Sequence, residues 1–171
     1  MKRSLWHRLD ALARHLTPFA LTLFLLVVEL APLHVPGLAE MAPLLPVAAI
    51  YHWTIYRPDL MPAAAVFLLG LLHDALTGLP FGSSTLVFLM VYGAVLSQRR
   101  FFIGKSFVIH WLGFAMVGAG AVFFLWLTVS ALNGGFVQGR AGLFQYLATL
   151  GAFPLLSWLF LGWQQAVLRN D

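Results

Sequence analysis

A long apolar run without a single charge is the feature that most constrains this chain. From Phe107 to Leu132 the sequence contains no Asp, Glu, Lys or Arg, and the run ends at the turn signal Asn133-Gly-Gly. A helix needs roughly 20 consecutive apolar residues to cross the hydrocarbon core of a bilayer. This run is long enough, so the sequence predicts a membrane-spanning helix here.

The composition of the whole chain indicates the same class of protein. Of the 171 residues, 61% are hydrophobic and only 9% are charged. A soluble domain carries about 25% charged residues, so this chain has too few to cover a surface that faces water. We therefore expect an integral membrane protein with a single transmembrane domain. The chain contains no cysteine, which excludes disulfides and thiolate metal sites.

Six apolar segments are separated by proline, glycine and charged residues. The predicted spans are 17–33, 42–56, 60–76, 84–98, 107–132 and 143–168. A short amphipathic helix over 4–16 precedes them, because its apolar residues recur at helical spacing and its basic residues lie mainly off that stripe. Several spans are shorter than the roughly 20 residues of an ideal span, so five spans plus a re-entrant piece stays open.

The positive charges indicate how the chain is oriented. With six spans and a cytoplasmic N-terminus, all of the ten Lys and Arg residues except Arg140 fall on the inner side. Cytoplasmic loops of membrane proteins carry an excess of Lys and Arg, and dropping one span would move part of this basic set outside. We therefore expect six spans with both termini in the cytoplasm.

Small residues mark places where membrane helices can approach each other closely. On the fifth segment, Ala115 and Ala119 lie four residues apart, with Gly113, Gly118 and Gly120 nearby. The pattern predicts a smooth helix surface. Such spacing is common in spans rich in Ala and Gly, so it predicts no particular contact.

Two acidic residues, Asp74 and Glu29, lie inside apolar segments. Asp74 is about fourteen residues beyond the inner end of its helix, or roughly 21 Å of rise, and Glu29 is at a similar distance. In a hydrocarbon core about 30 Å thick, both belong to the outer third. A proton relay or an ion pathway would more naturally place its acid at the centre.

Two interpretations of Asp74 stay open. In the structural one, which we favour, its carboxylate accepts backbone N–H groups of the turn 77–84. In the functional one, it faces a ligand or partner at the mouth of a pocket that opens outward near Glu29. Placing an ionisable group inside the membrane costs free energy, so we expect Asp74 to have one of these two roles.

The spacing of the histidines does not predict a metal site. His73 and Asp74 are adjacent in sequence and therefore lie about 100° apart around the helix axis, so they do not share a face. His52 and His110 have no close-set His, Asp or Glu partner, and we interpret both as helix-packing or interfacial residues. No nucleophile elbow, phosphate loop or pair of catalytic carboxylates is present either. We expect no metal, no cofactor and no enzymatic activity.

The predicted inner connectors are basic. In the Arg57-Pro58-Asp59 turn, Arg57 can contact phosphate headgroups and Asp59 can cap the third helix near its positive end. The second connector, 98–105, combines basic and aromatic residues. We interpret both as topology signals and interfacial anchors rather than binding sites. At the outer side, Ser83 or Ser84 is the candidate N-cap of the fourth helix.

A group of turn motifs occupies the middle third of the chain. They are the Arg57-Pro58-Asp59 turn, the helix end Gly70-x-x-x-Asp74, the loop Gly78-x-Pro80-x-Gly82 and the run Gln98-Arg99-Arg100. This pattern resembles the rod shape-determining protein MreD family, whose members typically show an R-P-x turn, a G-x-x-x-D helix end and a G-x-x-x-G loop before the fourth span. The outer thirds of the chain resemble the family by hydropathy alone. The connector 134–140 and the span that contains His52 match no family feature.

The resemblance implies a fold, a location and a set of partners. The fold would be a compact all-α bundle of six transmembrane helices, similar to the substrate-binding subunits of energy-coupling-factor transporters. MreD-like proteins lie in the bacterial inner membrane and belong to the machinery for lateral cell-wall growth. The implied partners are the single-span protein MreC, the MreB filament, and RodA with its class B transpeptidase. We expect contact with membrane lipid, none with nucleic acid, and leave a homodimer open.

We therefore expect a non-enzymatic scaffold of the cell-wall elongation complex. The transmembrane helix of a single-span partner would pack against its small-residue or outward-opening surface, whose shape the turn 74–82 would fix. The candidate structural and docking residues are Arg57, Pro58, Asp59, Gly70, Asp74, Gly78, Pro80 and Gly82, with Glu29 and His52 as polar residues inside the membrane. One alternative is a vitamin-binding membrane subunit of a transporter with its ligand near Glu29 and Asp74. A membrane enzyme acting on lipid-linked precursors is less favoured.

Overall fold

The computed structural model describes residues 2–31, 42–135 and 139–167, and side chains within 16–165 of these ranges. The described residues form six α-helices and no strand. The helices are α1 (Lys2–Glu29), α2 (Leu45–Tyr56), α3 (Ala63–Thr77), α4 (Ser83–Phe102), α5 (Phe107–Leu132) and α6 (Gly139–Val167). A 3₁₀ turn, Pro58–Leu60, connects α2 to α3. The expected all-α class is confirmed.

Two boundaries differ clearly from those predicted. The amphipathic segment and the first span form one continuous helix, α1, because Pro18 is accommodated inside it rather than ending a first helix. The connector expected from Gln98 starts only at Ile103, since α4 continues through Arg99 and Arg100 to Phe102. Basic residues suit the last turn of a helix, where they face the negative end of its dipole. The predicted interfacial position of 4–16 depends on side chains that lie outside those described by the structure.

Helix α2 is the centre of the fold. It packs against α1, α4, α5 and α6, and every residue from Leu45 to Ile55 is buried. Its sequence has no polar face, which is the pattern of a helix surrounded on all sides. Tyr51 illustrates these surroundings. Its ring makes edge contacts with Phe102 of α4, Phe114 of α5 and Phe153 of α6. Its hydroxyl also donates to the carbonyl of His110 at 2.9 Å.

Helices α5 and α6 lie at the other extreme of burial. Both are long and apolar enough to cross a membrane, and only 17% of the most hydrophobic window of α5 is buried within the described residues. The apolar part of α1, Leu16–Glu29, and the helix Ala63–Thr77 are shorter than such a span. Exposed apolar side chains such as Met116 and Leu112 cover α5. Exposed apolar surfaces of this size mark contact with a membrane or with another protein.

The small residues of α5 partly serve contacts within the chain. A Cβ on Gly113 would lie 2.3 Å from the ring of Phe102, and one on Gly118 would meet the ring of Tyr146 at 3.5 Å. Glycine therefore lets α4 approach α5 closely at the first position. Gly120 has no atom within 4 Å of such a Cβ, so that part of the helix surface stays open.

Candidate functional site

The carboxylate of Asp74, near the end of α3, binds the start of α4. Its Oδ1 accepts the backbone N–H of Ser84 at 2.8 Å, and its Oδ2 accepts that of Gly82 at 2.9 Å. The backbone N–H and the hydroxyl of Thr85 also donate to Oδ2, at 3.4 and 3.2 Å. Asp74 is only 1% exposed, so these contacts replace water. The sequence predicted this interaction with the turn.

This one side chain satisfies most of the N-terminus of α4. The first four N–H groups of a helix have no partner inside the helix. At α4, Asp74 accepts three of them, from Gly82, Ser84 and Thr85, and the carbonyl of Pro80 accepts that of Ser83 at 3.1 Å. A negative charge is favourable at this end of a helix. An unsatisfied N–H group in an apolar environment costs several kcal/mol, so the carboxylate allows α4 to begin in a buried position.

The glycines around Asp74 set the geometry of the α3–α4 turn. A Cβ on Gly70 would lie 2.4 Å from the Cα of Thr85, so only glycine allows the two backbones to come this close. Gly78 ends α3 with φ +70°, and Gly82 starts α4 with φ +98°. Both values lie in the left-handed region that glycine adopts without strain. The spacing Gly70-x-x-x-Asp74 thus places two contacts with α4 on adjacent turns of α3. Gly70 allows the two backbones to approach, and Asp74 caps the start of α4.

His73 joins a third helix to the same place. Its Nδ1 lies 2.8 Å from the hydroxyl oxygen of Ser84, and its Nε2 lies 3.3 Å from Oε1 of Glu29 on α1. A neutral imidazole satisfies both contacts when Nε2–H donates to Glu29 and Nδ1 accepts the Ser84 hydroxyl proton. Glu29 and His73 are 5% and 3% exposed in their side chains. We call the residues Glu29, His73, Asp74, Ser84 and Thr85 the polar junction.

Two capping predictions were wrong. Neither Ser83 nor Ser84 is the N-cap of α4, because Gly82 holds that position and Asp74 supplies the acceptor that a serine would otherwise offer. Asp59 does not cap α3. It lies exposed in the 3₁₀ turn, and Pro62 is the N-cap residue, with no side-chain hydrogen bond.

Except for Pro80, the other candidate residues lie away from the polar junction. Arg57 is half-buried and Pro58 is buried at the 3₁₀ turn, where the N–H of Arg57 donates to the carbonyl of Trp53 at 2.8 Å. His52 is buried within α2, with its ring 4.6 Å from that of Tyr56 and 5.0 Å from that of Phe160. Pro80 is half-buried in the α3–α4 turn. The sequence grouped these residues by motif, whereas the structure divides them between two ends of the helices.

The polar junction has the chemistry of a structural site. Both oxygens of Asp74 are occupied by donors of the chain itself, which leaves neither free to act as a base. Among the described residues, no group of three or more His, Cys, Asp or Glu could hold a metal ion. Sequence reasoning missed His73, Ser84 and Thr85. One signal for the His73–Glu29 contact was available. The sequence predicts similar depths for Glu29 and Asp74, and His73 is adjacent to Asp74.

Comparison with known proteins places the chain in a family. No curated protein and no solved structure matches it. The family model described as rod shape-determining protein MreD matches residues 10–162, which is most of the chain and includes the whole polar junction. Together with the apolar helices, this match indicates a membrane protein with a role in determining rod shape. The chain belongs to the MreD family.

Proposed function

We propose that this protein is a non-enzymatic scaffold of the bacterial cell-wall elongation complex. It docks the transmembrane helix of a single-span partner such as MreC and so supports lateral peptidoglycan synthesis near MreB, RodA and the class B transpeptidase. Membership of the MreD family supports the role in cell shape. The occupied carboxylate of Asp74 supports a role in shape rather than in catalysis.

In this proposal the six helices cross the inner membrane, and both termini lie in the cytoplasm. The apolar surfaces of α5 and α6 and the placement of nearly all Lys and Arg residues at one predicted side support this arrangement. The central α2, buried from Leu45 to Ile55, suits a compact membrane bundle. We propose the same bundle type for it as for the substrate-binding subunits of energy-coupling-factor transporters.

The docking surface that we propose is an apolar ridge on α3. Leu68, Leu72 and Leu76 are exposed and recur every four residues, so they line up along one side of the helix. Phe81, in the turn that follows, is 76% exposed and extends this surface at the outer end. Rows of side chains four residues apart are the ridges that pack into the grooves of a second helix.

The single observation that carries the proposal is the capping of α4 by Asp74. The ridge residues lie on the helix that Asp74 and Gly70 hold against α4, and Phe81 is in the turn between them. A surface that is already fixed before binding loses less conformational entropy when a partner docks. The polar junction therefore prepares the ridge for its partner.

The test compares ridge variants in cells that depend on this protein for rod shape. We expect Leu72→Trp to abolish co-purification of the single-span partner and to round the cells, because a bulky side chain disrupts ridge packing. Leu147→Trp on α6 is the matched control, since Leu147 is also an exposed leucine of an apolar helix. Normal cell shape and normal co-purification with Leu72→Trp would contradict the proposed docking surface.

The alternative function, binding of a vitamin-sized molecule, requires an acid that is free to face a ligand. Asp74 does not meet this requirement, because backbone donors occupy both of its oxygens, whereas Oε2 of Glu29 has no hydrogen-bond partner among the described residues. Tight binding of a vitamin by the purified protein, with normal cell shape in its absence, would favour that alternative over the scaffold.

A further inference from the structure

An apolar groove runs between α4 and α5 and includes none of the residues of the polar junction or of the proposed ridge. Its volume is about 280 Å³. On α4 its wall extends from Val87 to Phe102, and on α5 from Gly113 to Phe124. Gln98 is the one side chain among its lining residues that carries an amide. The groove thus offers apolar contact along its length and a hydrogen-bonding group near one end.

The groove opens to the surroundings of the protein rather than into its core. Met90 and Met116, which border it, are 41% and 79% exposed. Gly120 lies in its wall, and a Cβ there would meet no atom within 4 Å. Methionine side chains are flexible and polarisable, so they adapt to an apolar ligand of variable shape.

The end of the groove near Gln98 adjoins a strongly basic segment. Arg99 and Arg100 are in the last turn of α4, and Lys105 is in the connector to α5. No Asp or Glu occurs anywhere between Asp74 and Asp171 in the sequence. Nε of Arg99 is buried and has no hydrogen-bond partner among the described residues. This end of the groove therefore favours an anionic group.

The dimensions favour a lipid chain over a protein helix. The α4 wall from Val87 to Phe102 corresponds to roughly 22 Å of helix rise. Spread along that length, a volume of about 280 Å³ leaves only a slender channel, too narrow to enclose a helix of about 10–12 Å diameter. One leaflet contributes about 15 Å of the hydrocarbon core, so an acyl chain that enters from the inner leaflet fits along the groove.

We propose that this groove binds an anionic phospholipid. One acyl chain lies between α4 and α5 against Met90, Met116 and Gly120, and the headgroup phosphate contacts Gln98 and the basic residues Arg99 and Lys105. Juxtamembrane Lys and Arg residues attract anionic headgroups in this way. The site does not depend on the scaffold role, because it is a property of the isolated protein.

The test is native mass spectrometry of the full chain in detergent, with added phosphatidylglycerol or phosphatidylethanolamine of the same acyl composition. We expect the wild-type protein to retain phosphatidylglycerol preferentially. Gly120→Leu should lower retention of this lipid by at least about fivefold, because the new side chain occupies the space of the acyl chain. Gly151→Leu on α6 is the matched control, since a Cβ there also meets no atom within 4 Å.

A second variant tests the headgroup contact without altering the groove. Arg99→Gln combined with Lys105→Gln should reduce the preference for phosphatidylglycerol by about fivefold per charge removed, while retention of phosphatidylethanolamine is unchanged. Equal retention of both lipids by the wild-type protein would overturn the proposal. Unchanged retention in Gly120→Leu, or a loss of the same size in Gly151→Leu, would overturn it as well.

Discussion

The pairs α3–α4 and α5–α6 are both formed by consecutive helices, yet they are held together by different chemistry. Between α3 and α4, a buried carboxylate accepts several N–H groups and a glycine allows backbone contact. Between α5 and α6, single hydrogen bonds join side chains to the facing backbone, from Tyr146 to Ala115 at 2.9 Å and from Trp111 to Leu150 at 3.2 Å. Apolar contacts make up much of the remainder of that interface.

The difference separates a pair with one defined geometry from a pair that tolerates adjustment. A charged group with several donors has few alternative arrangements inside an apolar environment, since every lost donor is costly. Apolar contacts between helices are similar in strength to contacts with lipid chains, so they permit small shifts. We therefore expect changes at the α3–α4 pair to have larger effects than changes at the α5–α6 pair.

The largest effect is expected from Asp74→Ala. This change leaves the N–H groups of Gly82, Ser84 and Thr85 without their acceptor in a buried place. Hydrogen bonds to a charged group contribute about 1.5–3 kcal/mol each, so the free energy of unfolding should fall by at least about 3 kcal/mol. Thermal unfolding in detergent measures the change. Asp74→Asn should be affected less, because its amide oxygen still accepts, and equal stability of Asp74→Ala and the wild type would refute the capping role.

A smaller loss is expected from Gly70→Ala. The new Cβ would lie 2.4 Å from the Cα of Thr85, so one backbone must move. Overpacking of this kind costs about 1–3 kcal/mol. Gly93→Ala on α4 is the matched control, because a Cβ there meets no atom within 4 Å. The control should gain up to about 1 kcal/mol from helix propensity, and a gain of similar size in Gly70→Ala would show that the close approach is unimportant.

The smallest effect is expected from Tyr146→Phe in the α5–α6 pair. The change removes the hydrogen bond to the carbonyl of Ala115 and leaves the ring contact with Gly118 in place. Side-chain hydrogen bonds between membrane helices contribute about 0.6 kcal/mol on average, so the unfolding midpoint should hardly move. A loss as large as that of Asp74→Ala would remove the contrast between the two pairs.

Much of the helical layout could be predicted from the sequence, because apolar runs and Gly or Pro breaks act locally. The bounds of α5 were predicted without error, since a charge-free run ends at Asn133-Gly-Gly. The extent of α4 was misjudged because basic residues signal an interface but do not stop a helix. Pro18 was likewise compatible with a continuous α1. Hydropathy could not distinguish the buried α2 from the exposed α5, because lipid and protein interior present similar surroundings.

The polar junction was predictable only in part. Asp74 and the glycines next to it could be linked to the turn because all lie within one short segment. The contact between His73 and Glu29 joins positions 44 residues apart in the chain. Its formation depends on how α1 packs against α3, which no local pattern specifies. The contact of Asp74 with the turn was predicted, but not that it takes the place of a serine N-cap, since Ser83 and Ser84 at the start of α4 looked sufficient.

Hydrogen exchange at the start of α4 tests most directly whether Asp74 fixes the α3–α4 pair. In the wild-type protein the amides of Gly82, Ser84 and Thr85 should exchange slowly, because the buried carboxylate holds them. In Asp74→Ala these amides should exchange at least about tenfold faster, while amides in the middle of α5 and α6 keep their rates. Unchanged exchange rates at these three amides would contradict the conclusion that Asp74 fixes the geometry of the α3–α4 pair.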